Sequence, residues 1–155
     1  MDDAVARSIA RWPNVPAVYG WLALDRRGNW LIKGERIANA GLREFIARNY
    51  EADERGRWFF QNGPQRVFVT LAYTPFVVHY EGERLLDQCG REITAKATYL
   101  DDEGSVLVLG EHGIGLLDDR DLERYAEQAE ELARIDRVDV AARFSFVADP
   151  SDSLR

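Results

Sequence analysis

The sequence predicts an α+β fold: a curved, partly barrel-like antiparallel sheet built from hairpins, with two to three helices packed against it. The pattern Asp-x-x-Gly occurs four times, beginning at Asp25, Asp53, Asp87 and Asp101. Each copy favours a tight reversal, because the Asp side chain hydrogen-bonds the backbone two residues on and Gly accepts a positive φ. Short runs of β-branched and aromatic residues lie between the copies, as is typical of strands joined by hairpins.

The length and composition are those of one globular domain. The chain has 155 residues, of which 46 % are apolar and 30 % are charged. A chain of this size buries roughly 70 % of its unfolded surface in a single core. We therefore expect one domain over residues 1–155, with two lobes of about 1–80 and 81–147 as an alternative, and a flexible tail at 148–155.

The charge balance and the cysteine content limit the classes of partner and compartment. The net charge is −7, which disfavours binding to the phosphate backbone of a nucleic acid. Cys89 is the one cysteine, and the N-terminus lacks the pattern of a secretory signal. The apolar runs are far shorter than the roughly 20 residues that cross a bilayer. We expect a cytoplasmic protein that binds neither nucleic acid nor membrane.

The first third of the chain alternates helical and strand patterns. A short amphipathic helix is predicted at 2–11, ending before Pro13. Residues 18–24 and 29–33 flank the first Asp-x-x-Gly turn and predict a hairpin. Residues 41–50 present an apolar stripe at helical spacing, and Asn39 can cap the start of this second helix.

The remainder is predicted to be mostly strand, with one long helix. Pro75 cannot donate to a sheet ladder, so 76–80 is predicted to be an edge strand or a continuation after a kink. Acids at its start and a spaced apolar set predict a helix over 118–134, and 138–147 is predicted to be a closing strand. The other predicted strands are 58–61, 66–73, 85–87, 92–100 and 105–109.

No motif for catalysis, metal or cofactor binding is evident. His79 and His112 belong to no spacing for zinc or a catalytic triad, and Cys89 has no neighbour that would lower its pKa. The glycines of 110–115 resemble a phosphate loop, but no Gly-Lys-Ser/Thr follows and acids begin the next element. The acids at 101–103 lack the ligand pattern of a calcium loop. We expect no catalytic residue, no metal and no cofactor.

The candidates for ligand binding are aromatic residues beside polar ones. They are Trp30, Trp58, Asn62, Arg66 and Tyr73. Such a mixture is expected in a concave ligand site, and Arg66 can pair with an anionic group. The same mixture occurs at the rim of any sheet core, so a purely structural role is the alternative. If the rings do form a pocket, Trp30 and Trp58 should occupy equivalent places after their matching turns.

Residues 28–78 resemble an uncharacterised bacterial family, a domain of unknown function found in small cytoplasmic proteins. The shared pattern runs Gly-x-Trp, Gly-x-x-Ile, a Leu-x-x-Phe helix, an Asp-x-x-Gly turn, a turn Pro, and an alternating strand ending in Pro-Phe-Val. The matching positions are Gly28, Trp30, Gly34, Ile37, Leu42, Phe45, Asp53, Gly56, Pro64, Val67, Val69, Pro75, Phe76 and Val77. The resemblance implies an α+β fold with a helix on a curved antiparallel sheet, and it carries no activity or catalytic residue with it.

Three functional hypotheses follow. The first is a non-catalytic binding or accessory domain that recognises a small molecule or a protein through the aromatic and polar surface of the central hairpins. The second is a small hydrolase or transferase that uses His79 or His112 with a carboxylate brought near by folding. The third is a homodimer or other homo-oligomer, formed by pairing of the aromatic edge at 75–80 with its copy.

Overall fold

The computed structural model describes residues 12–154, so the helix predicted at 2–11 lies outside the described part of the chain. The α+β class is confirmed: strands dominate, and helices are fewer. The strands form two sheets. Both sheets contain parallel as well as antiparallel pairs, and neither closes into a barrel. The prediction of an antiparallel sheet was therefore too narrow, because pairings distant in sequence join strands in parallel.

The chain divides into two compact units, of which the first includes the described residues 12–25, 29–72 and 147–154. Its six-stranded sheet has the order β3-β2-β1-β6-β5-β4. The strands are β1 (Ala17–Leu24), β2 (Trp30–Ile32), β3 (Glu35–Arg36), β4 (Tyr50–Ala52), β5 (Trp58–Asn62) and β6 (Gln65–Leu71). The predicted hairpin is confirmed, since β1 and β2 pair in antiparallel register.

The predicted second helix is also confirmed, as α1 (Ala40–Arg48). The Asn39 side chain accepts a hydrogen bond from the backbone N–H of Leu42 at 2.9 Å, which makes it the predicted cap. The helix buries Leu42 and Ile46, and Phe45 packs edge-on against Phe60 of β5 with ring centroids 5.4 Å apart. An α-helix thus covers one face of the sheet, because its apolar positions recur at helical spacing.

The second compact unit comprises residues 26–28 and 73–146. Its seven-stranded sheet has the order β13-β10-β11-β12-β7-β8-β9. The strands are β7 (Phe76–Glu81), β8 (Arg84–Asp87), β9 (Glu92–Ile93), β10 (Ala97–Asp101), β11 (Val106–Leu109), β12 (Ile114–Leu117) and β13 (Ala133–Ile135). A cluster of buried apolar residues, including Val78, Val108, Leu117 and Tyr125, forms its core.

The segment 76–80 was predicted to be an edge strand or a continuation after a kink, and it is neither, since β7 is an inner strand of a different sheet from β6. Strand β7 lies between β12 and β8, and it pairs with β12 in parallel. The reason is β12, which was not among the predicted strands and begins within the glycine-containing segment 110–115. A Cβ atom on Gly115 would lie 3.0 Å from Val78 Cγ1 and 3.3 Å from Phe76 Cβ. Glycine at this position therefore permits the close packing of β12 beside β7.

The C-terminal third differs from the prediction in two elements. The predicted helix over 118–134 is a 3₁₀ helix at Asp119–Glu131, followed by strand β13. A 3₁₀ helix aligns residues three apart, as with Leu122 and Tyr125, which pack on the core of the second unit. The closing strand predicted at 138–147 is instead helical, with a 3₁₀ turn at Arg137–Asp139 and α2 at Val140–Arg143.

Residues 147–154 belong to the first unit and include a 3₁₀ helix at Pro150–Leu154. The Ala148 carbonyl accepts a hydrogen bond from the Leu71 N–H at 2.7 Å. The flexibility of 148–155 and the single domain over 1–155 stay predictions. None of the helices in the described part of the chain has the length and apolar character needed to cross a membrane.

All four Asp-x-x-Gly turns form, and they share one hydrogen-bond pattern. In each, the backbone N–H of the Asp donates to the carbonyl of the residue four positions on. The Asp Oδ1 atom accepts the N–H of that same residue, at distances between 2.8 and 3.1 Å. The four glycines have φ between 79° and 87°, in the left-handed region that glycine adopts without strain. The repeated sequence pattern is thus a repeated structural unit.

Candidate functional site

A cavity of about 290 Å³ lies in the first unit, where β2, β3 and the start of α1 meet. Its walls combine two indole rings with aliphatic side chains, and polar residues lie among them. The lining residues are Trp12, Trp21, Ile32, Glu35, Arg36, Ile37, Ala38, Asn39 and Leu42. A concave, mainly apolar site with a few polar groups is the usual form of a small-molecule site, and this volume is at the lower end of the usual range.

The β2–β3 hairpin and the segment after it shape this cavity. Lys33 and Gly34 both have positive φ, 50° and 82°, as a tight two-residue hairpin turn requires. The turn places the Lys33 ammonium 4.3 Å from the centroid of the Trp21 ring. The Ile37 N–H then donates to the Trp30 carbonyl at 2.9 Å, which keeps Ile37 against the sheet before Asn39 begins the helix.

Trp12 lines both the cavity and a neighbouring groove. The indole is 6 % exposed and packs edge-on against Phe60, with ring centroids 5.8 Å apart. The groove has a volume of about 490 Å³ and is lined by Trp12, Pro13, Asn14, Asn62, Gly63, Pro64 and Gln65. The position of the Trp12 ring therefore affects both concave surfaces.

Trp30 and Trp58 contact the same ring. The Tyr50 ring lies between them, with centroid distances of 5.0 Å to Trp30 and 4.8 Å to Trp58. Trp30 is 2 % exposed, and Trp58 is half-buried. The two indoles that follow the matching turns are thus joined through one aromatic cluster, and the contacts of this cluster are packing contacts.

Arg66 and Asn62 lie at the β5–β6 hairpin. The Arg66 guanidinium lies 4.4 Å from the centroid of the Phe59 ring, and its side chain is exposed. The Asn62 Nδ2 atom donates to Gln65 Oε1 at 3.1 Å. Asn62 lines the groove beside Trp12, which is the one concave surface described above that a predicted ligand-binding residue reaches.

Tyr73 belongs to the second unit and is buried there. Its hydroxyl donates to Asp101 Oδ2 at 2.9 Å, and the Arg26 guanidinium lies 4.9 Å from its ring centroid. Burial raises the pKa of the Tyr73 hydroxyl above its usual value, and the hydrogen bond to Asp101 raises this pKa further. Tyr73 is therefore a neutral hydrogen-bond donor that ties β10 to the chain before β7.

The histidines of the enzymatic hypothesis lie in the second unit. The His79 Nε2 atom is 3.3 Å from Glu81 Oε1, and the Glu81 side chain is 60 % exposed. Residues two apart on a strand share one face, which accounts for this pair. His112 is exposed, and its ring centroid lies 6.5 Å from that of Phe76. The hydrolase or transferase hypothesis stays a prediction.

The cysteine and the acidic residues are engaged locally. Burial, together with the Asp87 charge, raises the pKa of the half-buried Cys89 thiol to about 12. The exposed Glu111 carboxylate accepts the Thr94 N–H, and this hydrogen bond lowers the pKa of Glu111. Among residues 12–154, no group of three or more His, Cys, Asp or Glu side chains is arranged to hold a metal ion.

The residues that line the cavity in the first unit are not among the predicted ligand-binding residues. Trp12 directly follows the helix predicted at 2–11, and Ile37 lies between the predicted elements 29–33 and 41–50. The signal that was present is the Lys33-Gly34 pair directly after the apolar run Trp30–Ile32, since a glycine at such a place is typical of a tight turn. That hairpin forms one side of the cavity.

The fold is found in other bacterial proteins. A crystal structure of a DUF1285 family protein from Shewanella baltica OS155 superimposes with a TM-score of 0.54 and 17 % identity, covering 69 % of this chain and 91 % of that one. A second DUF1285 family protein, from Silicibacter pomeroyi DSS-3, gives a TM-score of 0.56 and 15 % identity, covering 82 % of this chain and 85 % of that one. At such low identity the likeness concerns the fold alone. No curated protein matches the chain.

The resemblance predicted from residues 28–78 extends over nearly the whole sequence. The model of the DUF2944 family, whose description reads "Protein of unknown function (DUF2946)", matches residues 1–151. The prediction of an uncharacterised bacterial family is thereby confirmed. The chain belongs to the DUF2944 family, whose function is unknown.

Proposed function

We propose that this protein is a non-catalytic binding domain, and that the cavity in its first unit takes a small aromatic or aliphatic molecule. The observation that carries the proposal is the cavity itself, in which the indoles of Trp12 and Trp21 meet aliphatic walls. Flat apolar groups gain most from such walls, because burial contributes roughly 25 cal/mol per Å² of apolar surface. The polar residues at the same cavity would orient the ligand.

The proposed function is of the predicted class, a binding domain, but the proposed site differs from the predicted one. The indoles that line the cavity are those of Trp12 and Trp21, whereas Trp30 and Trp58 pack on Tyr50. A binding domain of this kind would work in the cytoplasm, as the sequence predicts. A protein partner in place of a small molecule is the other form of the same hypothesis, and a pull-down from bacterial lysate addresses it.

Two exposed alanines allow a matched test. Ala38 lines the cavity, whereas Ala52 lies on the edge strand β4 and does not line it. Tryptophan at position 38 should fill the opening without removing any buried side chain. The same change at position 52 adds the same ring elsewhere on this sheet.

A thermal-shift screen of small aromatic and aliphatic compounds would first identify binders of the unmodified protein. A ligand at 100 times its Kd stabilises the folded state by about 2.7 kcal/mol, which raises Tm by several degrees. We expect Ala38→Trp to weaken each binder about tenfold or more, and Ala52→Trp to leave its affinity unchanged. A screen without binders, or equal weakening by both variants, would refute the assignment of the cavity.

A further inference from the structure

The β5–β6 hairpin contains an Asn-Gly pair, Asn62-Gly63, in an exposed turn. The two strands pair up to Asn62 and Gln65, so that Gly63 and Pro64 form the turn itself. Gly63 has φ 57° and is exposed, and a Cβ atom at this position would have no heavy atom within 4 Å. Among residues 12–154, the Gly63 N–H has no hydrogen-bond acceptor, whereas its carbonyl accepts a bond from Gln61 Nε2.

Two side-chain amides connect this turn to the segment before β1. The Gln65 Nε2 atom donates to the Pro13 carbonyl at 2.6 Å and to the Val15 carbonyl at 2.7 Å. Because carbonyls only accept, the nitrogen of the Gln65 amide must face them and its oxygen must face Asn62. That oxygen accepts from Asn62 Nδ2 at 3.1 Å. With the Gln65 amide held in this orientation by the two carbonyls, its oxygen requires a donor at position 62, which the Asn62 amide nitrogen supplies.

We propose that Asn62 is a site of spontaneous deamidation, and that its conversion to aspartate or isoaspartate releases residues 13–16 from the sheet of the first unit. The Gly63 backbone nitrogen attacks Asn62 Cγ, so that a new N–C bond closes a succinimide and the Cγ–Nδ2 bond breaks. The proton of the Gly63 N–H leaves with the departing ammonia. Water then opens the ring at either carbonyl and produces aspartate or isoaspartate.

Glycine favours this reaction because it has no side chain to hinder the approach of its nitrogen, and because its backbone is the most permissive. The other asparagines are followed by larger residues: Asn14 by Val, Asn29 by Trp, Asn39 by Ala and Asn49 by Tyr. Asn29, Asn39 and Asn49 make side-chain hydrogen bonds in caps and turns, as Asn62 does to Gln65. The residue that follows each asparagine is therefore what distinguishes Asn62. The other four asparagines therefore serve as internal controls for the deamidation rate of Asn62.

The consequence follows from hydrogen-bond chemistry. A carboxylate at position 62 has no N–H to donate, and it would face the Gln65 Oε1 atom, oxygen against oxygen. Turning the Gln65 amide over would relieve this repulsion but would remove both donations to Pro13 and Val15. The segment 13–16 is then held by fewer bonds, of which Arg66 N–H to Pro16 carbonyl, at 2.9 Å, is one.

This change would also reach the candidate cavity, because Trp12 directly precedes the released segment and lines that cavity. The deamidation itself does not depend on the proposed function. Failure of the ligand screen would leave it intact, and failure of the deamidation would leave the cavity assignment intact.

The experiment incubates the full chain at 37 °C and pH 8 for several weeks and follows each asparagine by peptide mass spectrometry. We expect the peptide with Asn62 to gain about 1 Da at least tenfold faster than the peptides with the other four asparagines, and isoaspartyl methyltransferase to label it. Equal rates at all five sites would overturn the proposal.

The release is tested with Asn62→Asp, which mimics one product, and Asn62→Gln, which keeps a donor amide. Limited proteolysis should cleave residues 12–16 about tenfold faster in the Asp variant and in the aged protein than in fresh protein, as expected when a local opening loses net hydrogen-bond stabilisation. The Gln variant should resist ageing at this site. Unchanged cleavage in both the Asp variant and the aged protein would overturn the inferred release.

Discussion

Replacing the Asp of each Asp-x-x-Gly turn by Ala should destabilise the protein to very different degrees, although the four turns share one pattern. The difference lies in what else each carboxylate binds. Asp101 is buried, and it accepts the Glu103 and Ser105 N–H groups at 2.9 and 2.8 Å as well as the Tyr73 hydroxyl at 2.9 Å. Asp25 instead accepts the backbone and side-chain N–H groups of Asn29, which is only half-buried.

The magnitudes follow from the exposure of the partners. Asp101→Ala leaves the buried Tyr73 hydroxyl and the buried Ser105 N–H without this acceptor. Each buried unsatisfied group costs about 1–3 kcal/mol, so the free energy of unfolding should fall by about 3–5 kcal/mol. Asp25→Ala should cost about 1 kcal/mol, because water can reach its former partners. Asp53→Ala and Asp87→Ala should lie between these values.

Urea unfolding followed by far-UV circular dichroism and by tryptophan fluorescence would measure the series. All four tryptophans lie in the first compact unit, whereas Asp101 lies in the second. If residues 1–155 form one cooperative domain, as predicted from sequence, Asp101→Ala should shift both transitions together. If the two units unfold separately, only the transition followed by circular dichroism should shift.

A double-mutant cycle isolates the contribution of the hydrogen bond between the Tyr73 hydroxyl and Asp101 to stability. Tyr73→Phe alone should cost about 1–2 kcal/mol, because it removes the donor but leaves Asp101 with two backbone partners. In the Asp101→Ala background, Tyr73→Phe should be neutral or stabilising, since it removes the unsatisfied hydroxyl. Equal losses for all four Asp→Ala variants, or additive effects of the two changes, would refute the reasoning.

Three further outcomes are expected. At pH 8 the Cys89 thiol should react with Ellman's reagent about a thousandfold more slowly in native than in urea-unfolded protein. The reason is that burial, and then the Asp87 charge, raise the thiol pKa to about 12 in the folded protein. Equal reaction rates in the two states would contradict this prediction. Burial alone would raise the pKa of Asp53, but hydrogen bonds from Arg57 and Arg55 and the Arg57 charge outweigh burial and lower it. The unfolded state therefore binds more protons below about pH 4, so stability should fall as pH falls through the lowered pKa, and Asp53→Asn should show a shallower fall in acid titrations of unfolding free energy. Phe60→Ala should cost about 3–5 kcal/mol in urea unfolding, because the ring is fully buried between Trp12 and Phe45; Val138→Ala, at a residue 79 % exposed, should cost less than about 0.5 kcal/mol.

If the protein forms a homodimer by pairing of sheet edges, the paired edge is not the segment 75–80. The segment 75–80 was expected to offer an edge, but β7 is paired on both sides. The edges of the described sheets are instead β3 and β4 in the first unit and β13 and β9 in the second. Light scattering at micromolar concentration tests the dimer, which stays a prediction.

Elements whose interactions are local were predictable. Each Asp-x-x-Gly turn is closed by bonds between residues at most four apart, so the sequence pattern alone contains both partners. Likewise, Asn39 caps α1 through a residue three positions on, and the stripe of Leu42 and Ile46 identifies the buried face. The β1–β2 hairpin follows from the turn that joins its strands.

Features that depend on contacts between residues distant in sequence were predicted wrongly or could not be predicted. Gly115 was assigned to a loop because its place beside Val78 depends on a parallel pairing between segments almost forty residues apart. The strand predicted at 138–147 forms short helical turns instead, because packing outweighs intrinsic propensity in short segments. The binding candidates were chosen as aromatic residues near turns, which does not distinguish Trp30, sealed against Tyr50, from Trp21 at a cavity.

The sequence by itself therefore determined the family, the α+β class, the four turns and the capped helix, because each depends on neighbouring residues or on an ordered pattern along the chain. Tertiary structure alone decided which strands lie side by side, which indoles line a cavity, and that the Tyr73 hydroxyl binds the Asp101 carboxylate. Those outcomes depend on the pairing and packing of segments far apart in the chain, and such contacts leave no short-range pattern in the residue order.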